Sequence, residues 1–328
     1  MAYFRKLDAL VSRLVNQFHR DERWLIVINA DPDAMASALA LRRIMRSRVA
    51  DVAIARVNDI TRPDNLAMAR DLRIPMLKCN PTVVAQFDRF AMVDSQPHHH
   101  VNFAGIKFSV VIDHHPISQE HPVEAEFTEI RQEYGACSTI MTEILYNMRI
   151  RPDRLLATAL QYGIKTDTAS FERGAGDVDI RAYRYLSKFS KHALLLSIAR
   201  SEYRMEWMDA FSRAIAARRP CASGHYVFLG DVENPDILVV IADFFMRVHE
   251  IRWLAVCGVY NDTIVVIFRG DGTFRDLGRF AHEKFHAVGS AGGHKAMARA
   301  EIPLAQAQGS NVDTFIYKML TAPRKRGA

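Results

Sequence analysis

Residues 25–37 read LIVINADPDAMAS, a stretch that joins an apolar run, two carboxylates and a run of small residues. A short continuous apolar run is typical of a buried parallel strand. Pro32 disfavours helical backbone at Asp31, so we expect the strand to end there and a helix to follow. Ligands of open α/β sheets bind at the carboxyl edge, where Asp31 and Asp33 are predicted to lie.

The pair Asp31 and Asp33 permits two interpretations. Neighbouring carboxylates repel each other, so an apolar sheet edge accommodates them best beside a divalent cation. Alternatively, one of them only caps the following helix, which is an everyday role for aspartate. The motif by itself does not decide between a metal site and a helix cap.

The composition indicates a globular protein. The chain has 328 residues, of which 49% are hydrophobic and 24% charged, enough for two ordinary domains. No apolar run approaches the ~20 residues that span a bilayer. Residues 1–14 mix charged and apolar side chains, unlike a signal peptide. We therefore expect a cytoplasmic protein that makes no membrane contact.

Charge and cysteine usage narrow the class of ligand. The formal net charge of +6 is compatible with a phosphate-rich ligand. The four cysteines form no C-x-x-C pair, which argues against a zinc-thiolate site and against a disulfide framework. Three adjacent histidines, residues 98–100, cannot readily converge on one ion, so we interpret them as part of a polar loop.

Further apolar runs also end on potential metal ligands. Residues 90–93 and 108–112 are predicted strands, and helices are predicted near 138–147 and 154–162, followed by a loop over residues 163–168. The polar groups at these ends are Asp94, Asp113, His114, His115 and Asp167. Successive α/β units would place them along one carboxyl edge, which favours a carboxylate and imidazole site over a helix cap.

Four motifs occur in the order and spacing of the DHH phosphoesterase family, which the chain resembles. They are Asp31-Pro32-Asp33-Ala34, Asp94-Ser95, Asp113-His114-His115 and Gly163-Ile164-Lys165-Thr166-Asp167-Thr168. Each motif is weak alone, and the ordered set is specific.

A second α/β alternation follows a helical, charged stretch that ends near residue 219. Its glycine-rich segment, residues 289–294, ends in Gly-Gly-His and resembles the DHH-associated domain of the smaller family members. The resemblance implies an α/β protein of two lobes. These are a larger parallel-sheet DHH domain at 1–190 and a smaller mixed-sheet, substrate-binding domain at 221–328, joined by a helical linker at 191–220.

The resemblance also implies the roles of the site residues and a Mn²⁺ cofactor, with Mg²⁺ or Fe²⁺ suited to the same ligand types. The metal ligands would be Asp31 for a first ion, Asp33, His114 and Asp167 for a second, and Asp94 between both. His115 would contact phosphate or donate a proton, and Asp113 would orient an imidazole. The smaller lobe would bind the terminal phosphate through Arg269, Gly292, Gly293 and His294.

Val27 departs from the family pattern. It stands four residues before Asp31, where the first motif of the family normally begins with a histidine. Valine offers no ligand atom. We therefore expect one tightly held cation, with the other ion weakened or absent.

The two-lobe arrangement most resembles the nanoRNase and 3'-phosphoadenosine-5'-phosphate phosphatase group. It implies hydrolysis of very short oligonucleotides or small nucleotides by metal-activated hydroxide, without long duplex nucleic acid as a partner. Two alternatives stay open: a degenerate, catalytically weak nucleotide-binding regulator, and a linear or cyclic dinucleotide phosphodiesterase. A homodimer is expected from family analogy alone.

Overall fold

The computed structural model describes residues 3–172, 174–201, 203–307 and 309–322. The chain divides into two compact units, Met1–Glu202 and Tyr203–Ala328. A six-stranded parallel sheet forms the first unit and a six-stranded mixed sheet forms the second, which confirms the predicted α/β class. The domain boundaries near residues 190 and 220 stay a prediction. Within the described ranges, no helix has both the length and the apolarity needed to cross a bilayer.

The first unit alternates strands and helices before it ends in a run of helices. Its elements are α1 (Asp8–Val15), β1 (Arg23–Ile28), α2 (Pro32–Met45), β2 (Asp51–Arg56), α3 (Pro63–Asp71), β3 (Leu77–Lys78), α4 (Pro81–Val84), β4 (Arg89–Val93), β5 (Val110–Asp113), β6 (Phe127–Ile130), α5 (Cys137–Asn147), α6 (Arg154–Asp167), α7 (Asp177–Leu186) and α8 (His192–Ala199).

The parallel sheet has the strand order β3-β2-β1-β4-β5-β6. The chain adds strands in one direction up to β3 and in the other from β4, so the switch point lies between β1 and β4. Ligands of open α/β sheets bind outside the carboxyl ends of the strands at such a point. Both faces of β1 are covered, because Ile26 and Ile28 pack in one apolar cluster and Leu25 and Val27 in another. Its continuous apolar sequence follows from this double burial.

Helix α6 continues to Asp167, so the loop predicted over residues 163–168 is wrong. The helix was predicted to end near residue 162, but Gly163 lies within it and faces α2 and α5. A Cβ at this position would lie 2.5 Å from Oγ of Ser138 and 3.0 Å from Oδ1 of Asp33. The missing side chain therefore permits the close approach of the helices, and the last turn of α6 carries Asp167.

The second unit has two apolar layers around its mixed sheet. Its elements are α9 (Met208–Ala217), β7 (Arg219–Cys221), β8 (Gly224–Asp231), α10 (Asp236–Phe245), β9 (Trp253–Tyr260), β10 (Thr263–Gly270), α11 (Leu277–Phe285), β11 (Ser290–Gly293), β12 (Met297–Pro303) and α12 (Val312–Thr321). The strand order is β11-β12-β10-β9-β8-β7, with β8 parallel to β9 and the other neighbours antiparallel.

The glycine-rich segment of the second unit contains the edge strand β11. Strand β11 pairs with β12, opposite residues 298–301. Gly293 has φ +150°, and a Cβ there would lie 2.3 Å from the carbonyl oxygen of Met297. The glycine therefore permits the close pairing of two backbone segments.

The variant Gly163→Ala tests whether helix propensity or side-chain packing has the larger effect on stability at this position. Propensity favours alanine over glycine in a helix interior by about 1 kcal/mol, whereas the added Cβ would overlap with Ser138 and approach Asp33. We expect the clash to dominate and to lower the free energy of unfolding by about 1–3 kcal/mol, measured by urea denaturation. Gly176→Ala, where the nearest atoms lie 3.7 Å away, is the control and should change stability far less. A more stable Gly163→Ala protein would contradict the helix contact.

Candidate metal centre

Four side chains gather at the switch point of the parallel sheet. Asp33 lies in the first turn of α2, Asp94 follows β4, His114 follows β5 and Asp167 ends α6. One possible ligand atom from each lies within 4.8 Å of the others. Asp33 and Asp94 are buried, and His114 and Asp167 are partly exposed. The cluster therefore has one side open to solvent.

The Asp33 carboxylate is anchored by the N-terminus of α5. Its Oδ2 accepts a hydrogen bond from the Cys137 N–H at 2.6 Å, and its Oδ1 accepts one from the Ser138 N–H at 2.8 Å. Free N–H groups at a helix start favour a negative charge. Burial and the nearby Asp167 nevertheless raise the pKa of Asp33 to about 7. The carboxylate is well held in place, but its charge is not fully compensated.

Asp94 combines burial with a strained backbone. Its φ is +58°, which costs a residue with a side chain about 1–2 kcal/mol. Its N–H donates to the carbonyl oxygen of Ile112 at 2.9 Å, which ties the turn to β5. Burial and the charges of Asp33 and Asp31 raise the pKa of Asp94 well above its usual range. Such strain is typical of functional sites.

His114 presents a buried nitrogen atom that forms no hydrogen bond with the described residues. Its Nδ1 lies 3.1 Å from the carbonyl oxygen of Tyr134, which can only accept, so Nδ1 carries a proton and donates. Its Nε2 lies 3.3 Å from Oδ1 of Asp94 and 3.0 Å from Oδ2 of Asp167. The Nε2 atom and this Asp94 oxygen are buried and lack hydrogen-bond geometry with any residue that the structure describes. Three electron-rich atoms thus face one another.

A positive charge between these atoms would compensate the repulsion among them. Burial disfavours the charged form of His114, but the carboxylates of Asp167 and Asp94 outweigh burial and raise its pKa to about 12. A proton on Nε2 is one source of positive charge, and a divalent cation is the other. Carboxylate oxygens with one imidazole nitrogen suit Mn²⁺, Mg²⁺ or Fe²⁺. The residues present therefore fit one divalent cation.

The residues predicted for a first ion are arranged differently. Asp31 lies outside the four-residue cluster and caps α2, where its Oδ1 accepts a hydrogen bond from the Ala34 N–H at 2.9 Å. Burial and Asp167 raise the pKa of Asp31 to about 6. Val27 is fully buried in the apolar cluster that contains Met92 and Phe103. Position 27 thus has an apolar packing role.

Asp113 and His115 form a hydrogen-bonded pair beside the cluster. Nδ1 of His115 lies 2.8 Å from Oδ1 of Asp113, and Oδ2 of Asp113 accepts from Nε2 of Gln96 at 2.8 Å. Burial alone would raise the pKa of Asp113, but the bonds from His115 and Gln96 lower it, and Asp113 raises the pKa of His115. Gln96 was missed from the sequence. The only sequence feature that could have indicated Gln96 is its position directly after the candidate ligand motif Asp94-Ser95.

His99 was also missed, because the sequence predicted only a polar loop there. Its ring contacts the ring of His115 edge to face, with 5.4 Å between centroids, and its Nδ1 accepts from the Gln96 N–H at 3.2 Å. Burial lowers the pKa of His99, so its neutral form faces the pair. No local sequence signal distinguished it from its two histidine neighbours.

The residues predicted to bind substrate in the second unit share one end of its sheet. Arg269, in β10, is paired with Met297 of β12, whose carbonyl oxygen accepts the His294 N–H at 2.7 Å. Nε of Arg269 donates to the Asp243 carboxylate at 2.7 Å. The glycines of β11 directly precede His294. Their part in substrate binding stays a prediction.

The first unit is thus a parallel α/β domain with a carboxylate and imidazole cluster at its switch point. Residues 23–164 match the family model described as "DHH family, N-terminal domain". That segment is therefore a DHH-family N-terminal domain, and Asp113-His114-His115 lies within it.

The chain also resembles individual proteins. An uncharacterized protein of Methanocaldococcus jannaschii is 31% identical over 278 residues, which cover 84% of this chain and 57% of that protein. The chain thus spans little more than half of that relative. An exopolyphosphatase-related protein from Bacteroides fragilis superposes with a TM-score of 0.69 at 15% identity, over 96% of both chains. Exonuclease RecJ bound to manganese superposes with a TM-score of 0.53 at 14% identity, over 100% of this chain and 97% of that one. These two structures establish the fold.

We expect the metal-free protein to lose stability as the pH rises from about 4 to about 7. Asp33 keeps its proton up to a pKa of about 7 when folded, against 3.8 for an unperturbed aspartate, so the folded state binds more protons in this window. Mn²⁺ should oppose the loss, and its stabilising effect should grow with pH, because the cation replaces those protons. Melting temperatures in EDTA and in Mn²⁺ across this pH range measure both effects.

Asp167→Asn is the matched variant for this measurement. Asp167 is partly exposed at the end of α6, so an amide of the same size should be tolerated in EDTA. The variant should lose most of the Mn²⁺-induced increase in melting temperature, because an amide is a weaker ligand. An equal increase in both proteins, or one that does not grow with pH, would contradict the assignment of the site.

Proposed function

We propose that the chain is a metal-dependent phosphoester hydrolase of small nucleotides or very short oligonucleotides. The observation that carries this proposal is the buried Nε2 of His114, which faces the carboxylates of Asp94 and Asp167 and forms no hydrogen bond within the described part of the chain. A cation site at the switch point of a parallel sheet is a suitable place to bind and cleave a phosphate ester. The match of residues 23–164 to the DHH-family domain supports the same class of reaction.

The cation ligands in this proposal are Asp33, Asp94, His114 and Asp167. Mn²⁺ is the proposed ion, and Mg²⁺ and Fe²⁺ suit the same atoms. When bound, the cation neutralises charge on the phosphoryl oxygens and activates water for attack on phosphorus. The chain contributes rigid ligand positions, since α5 anchors Asp33 and the β4 turn holds Asp94.

His115 is the proposed proton donor to the leaving oxygen. Because its Nδ1 is engaged with Asp113, its Nε2 is available to a substrate, and the ring lies in a group with Asp94 and His114. Asp113 raises the pKa of His115 and keeps the ring protonated at higher pH, as a general acid requires. Asp113 and Gln96 act as positioning residues for His115.

The substrate class rests on size and charge. A net charge of +6 is small for a protein that follows long duplex nucleic acid, whose phosphates demand an extended basic surface. Arg269 and His294 are the proposed ligands of the terminal phosphate, together with the backbone of Gly292 and Gly293. Substrates such as 3'-phosphoadenosine-5'-phosphate or dinucleotides fit this proposal, as do a cytoplasmic location and a homodimer.

One observation favours a second candidate function. Val27 is buried among apolar side chains, and Asp31 caps α2 outside the four-residue cluster, so in the described part of the chain these two positions do not complete a site for a first ion. With one cation instead of two, the protein would bind nucleotides and hydrolyse them weakly or not at all. Its role would then be regulatory.

An activity panel separates the two candidates. The purified chain is incubated with Mn²⁺ and dinucleotides, short RNAs, 3'-phosphoadenosine-5'-phosphate, and linear and cyclic dinucleotides. Turnover that Asp94→Ala and His114→Ala both abolish would support the hydrolase. Metal-dependent binding without turnover would support the regulator. Neither turnover nor metal-dependent binding of any nucleotide would overturn the proposal.

Metal content tests the single-cation centre. After dialysis against buffer without chelator, elemental analysis should find about one Mn²⁺ per chain, and Asp167→Asn should lower that amount. Two tightly held ions per chain would contradict a centre that lacks a ligand at Val27.

Asp113→Asn tests the proton donor through the pH profile of turnover. Loss of the carboxylate partner lowers the pKa of His115, so the alkaline fall in kcat should move to lower pH, and kcat at neutral pH should drop by about 10²-fold. KM should change little, since Asp113 is buried and does not reach substrate. His100→Gln, in the neighbouring loop, is the control. A uniform loss of kcat with an unmoved profile would show that Asp113 has only a structural role.

A further inference from the structure

A cavity of about 190 Å³ lies in the first unit, at the ends of α2 and α6 that point away from the candidate metal centre. Helix α2 begins beside Asp33 and ends before Arg46, whereas α6 begins after Asp153 and ends on Asp167. Leucine side chains of α2 and α6, with one that follows α3, form an apolar floor. The charged lining consists of Arg42, Arg43, Arg46, Arg73 and Asp153.

The cavity carries an uncompensated positive charge. Arg43, Arg46 and Arg73 are exposed and form no ion pair with any residue in the described ranges of the chain. Arg42 uses its Nε to donate to the carbonyl oxygen of Val52 at 3.2 Å. Asp153 is engaged as the cap of α6, where its Oδ1 accepts two backbone N–H groups. Four guanidinium groups therefore face one carboxylate that already has partners.

Arg73 adds an independent observation. It follows the C-terminus of α3 with φ +54°, a conformation that glycine usually provides after a helix. An arginine there is strained by about 1 kcal/mol. Its exposed side chain lines the cavity and has no partner among the described residues that would offset this strain. A ligand at the guanidinium would offset it.

We propose that this cavity is a binding site for a small phosphorylated molecule, separate from the candidate metal centre. Guanidinium groups match the geometry of phosphate oxygens and bind them through paired hydrogen bonds. Their excess over Asp153 favours a ligand with more than one negative charge. The start of α6 favours an anion, and the carbonyl ends of α2 and α3 oppose it by a smaller amount than the arginines supply. The leucine floor accepts the uncharged part of such a ligand.

Calorimetric titration with inorganic pyrophosphate, in EDTA, tests the proposal. EDTA removes the divalent cation that would bind a phosphate group at the metal centre, and binding that is lost in Arg43→Gln and Arg73→Gly is assigned to the cavity. We expect saturable binding that Arg43→Gln and Arg73→Gly each weaken about tenfold or more, as the loss of a charge-assisted contact requires. Acetate, with a single charge and no phosphate geometry, should not compete.

The Arg73→Gly variant distinguishes a loss of ligand binding from a loss of folding. Glycine adopts φ +54° without strain, so its melting temperature should equal or exceed that of the parent protein. Arg20→Gln removes an exposed arginine outside the cavity and should leave binding unchanged. Absence of pyrophosphate binding would overturn the proposal, and the arginines would then only offset the helix ends. Equal weakening by Arg20→Gln, or none by Arg43→Gln and Arg73→Gly, would overturn it as well.

Discussion

Repulsion among buried carboxylates is the constraint that shapes the first unit. Asp33, Asp94 and Asp167 approach one another around Nε2 of His114, at an edge where burial already disfavours charge. In water such groups separate, so the fold itself must hold them together. The parallel sheet does this because β1 and β4 end side by side at the switch point, and each delivers an acidic residue there.

The surrounding elements hold the acids without neutralising them. The first N–H groups of α5 bind the Asp33 carboxylate, and Gly163 lets α6 pack closely enough to bring Asp167 alongside. The backbone of Asp94 is held in a left-handed conformation by its bond to Ile112. Each of these contacts stabilises a position without removing charge, so the proposed affinity for a cation would come from the rigid part of the fold.

Individual strands and motifs could be predicted from the sequence. Contacts between residues that are far apart in the sequence could not. The apolar run before Asp31 and the strands ending at Asp94 and Asp113 were visible as short patterns. Strand β6 was not predicted, since its sequence FTEI is only half apolar. Helix α6 was predicted to end near residue 162, because the reason for glycine at position 163 lies in α2 and α5. Likewise, the carbonyl of Tyr134 fixes the tautomer of His114 across 20 residues, which no local pattern reveals.

The packing around Val27 affects which groups would stabilise the attacking and the leaving oxygen in the proposed reaction. A centre with two cations can stabilise both the attacking and the leaving oxygen. Here position 27 belongs to an apolar layer and Asp31 serves α2, so one cation can assist at most one of these oxygens directly. The other oxygen would then depend on the protein, and His115, whose pKa is raised by its hydrogen bond with buried Asp113, is the group proposed to supply a proton. In the proposed reaction, the apolar role of position 27 would therefore give the neighbouring Asp113–His115 pair a larger share of catalysis.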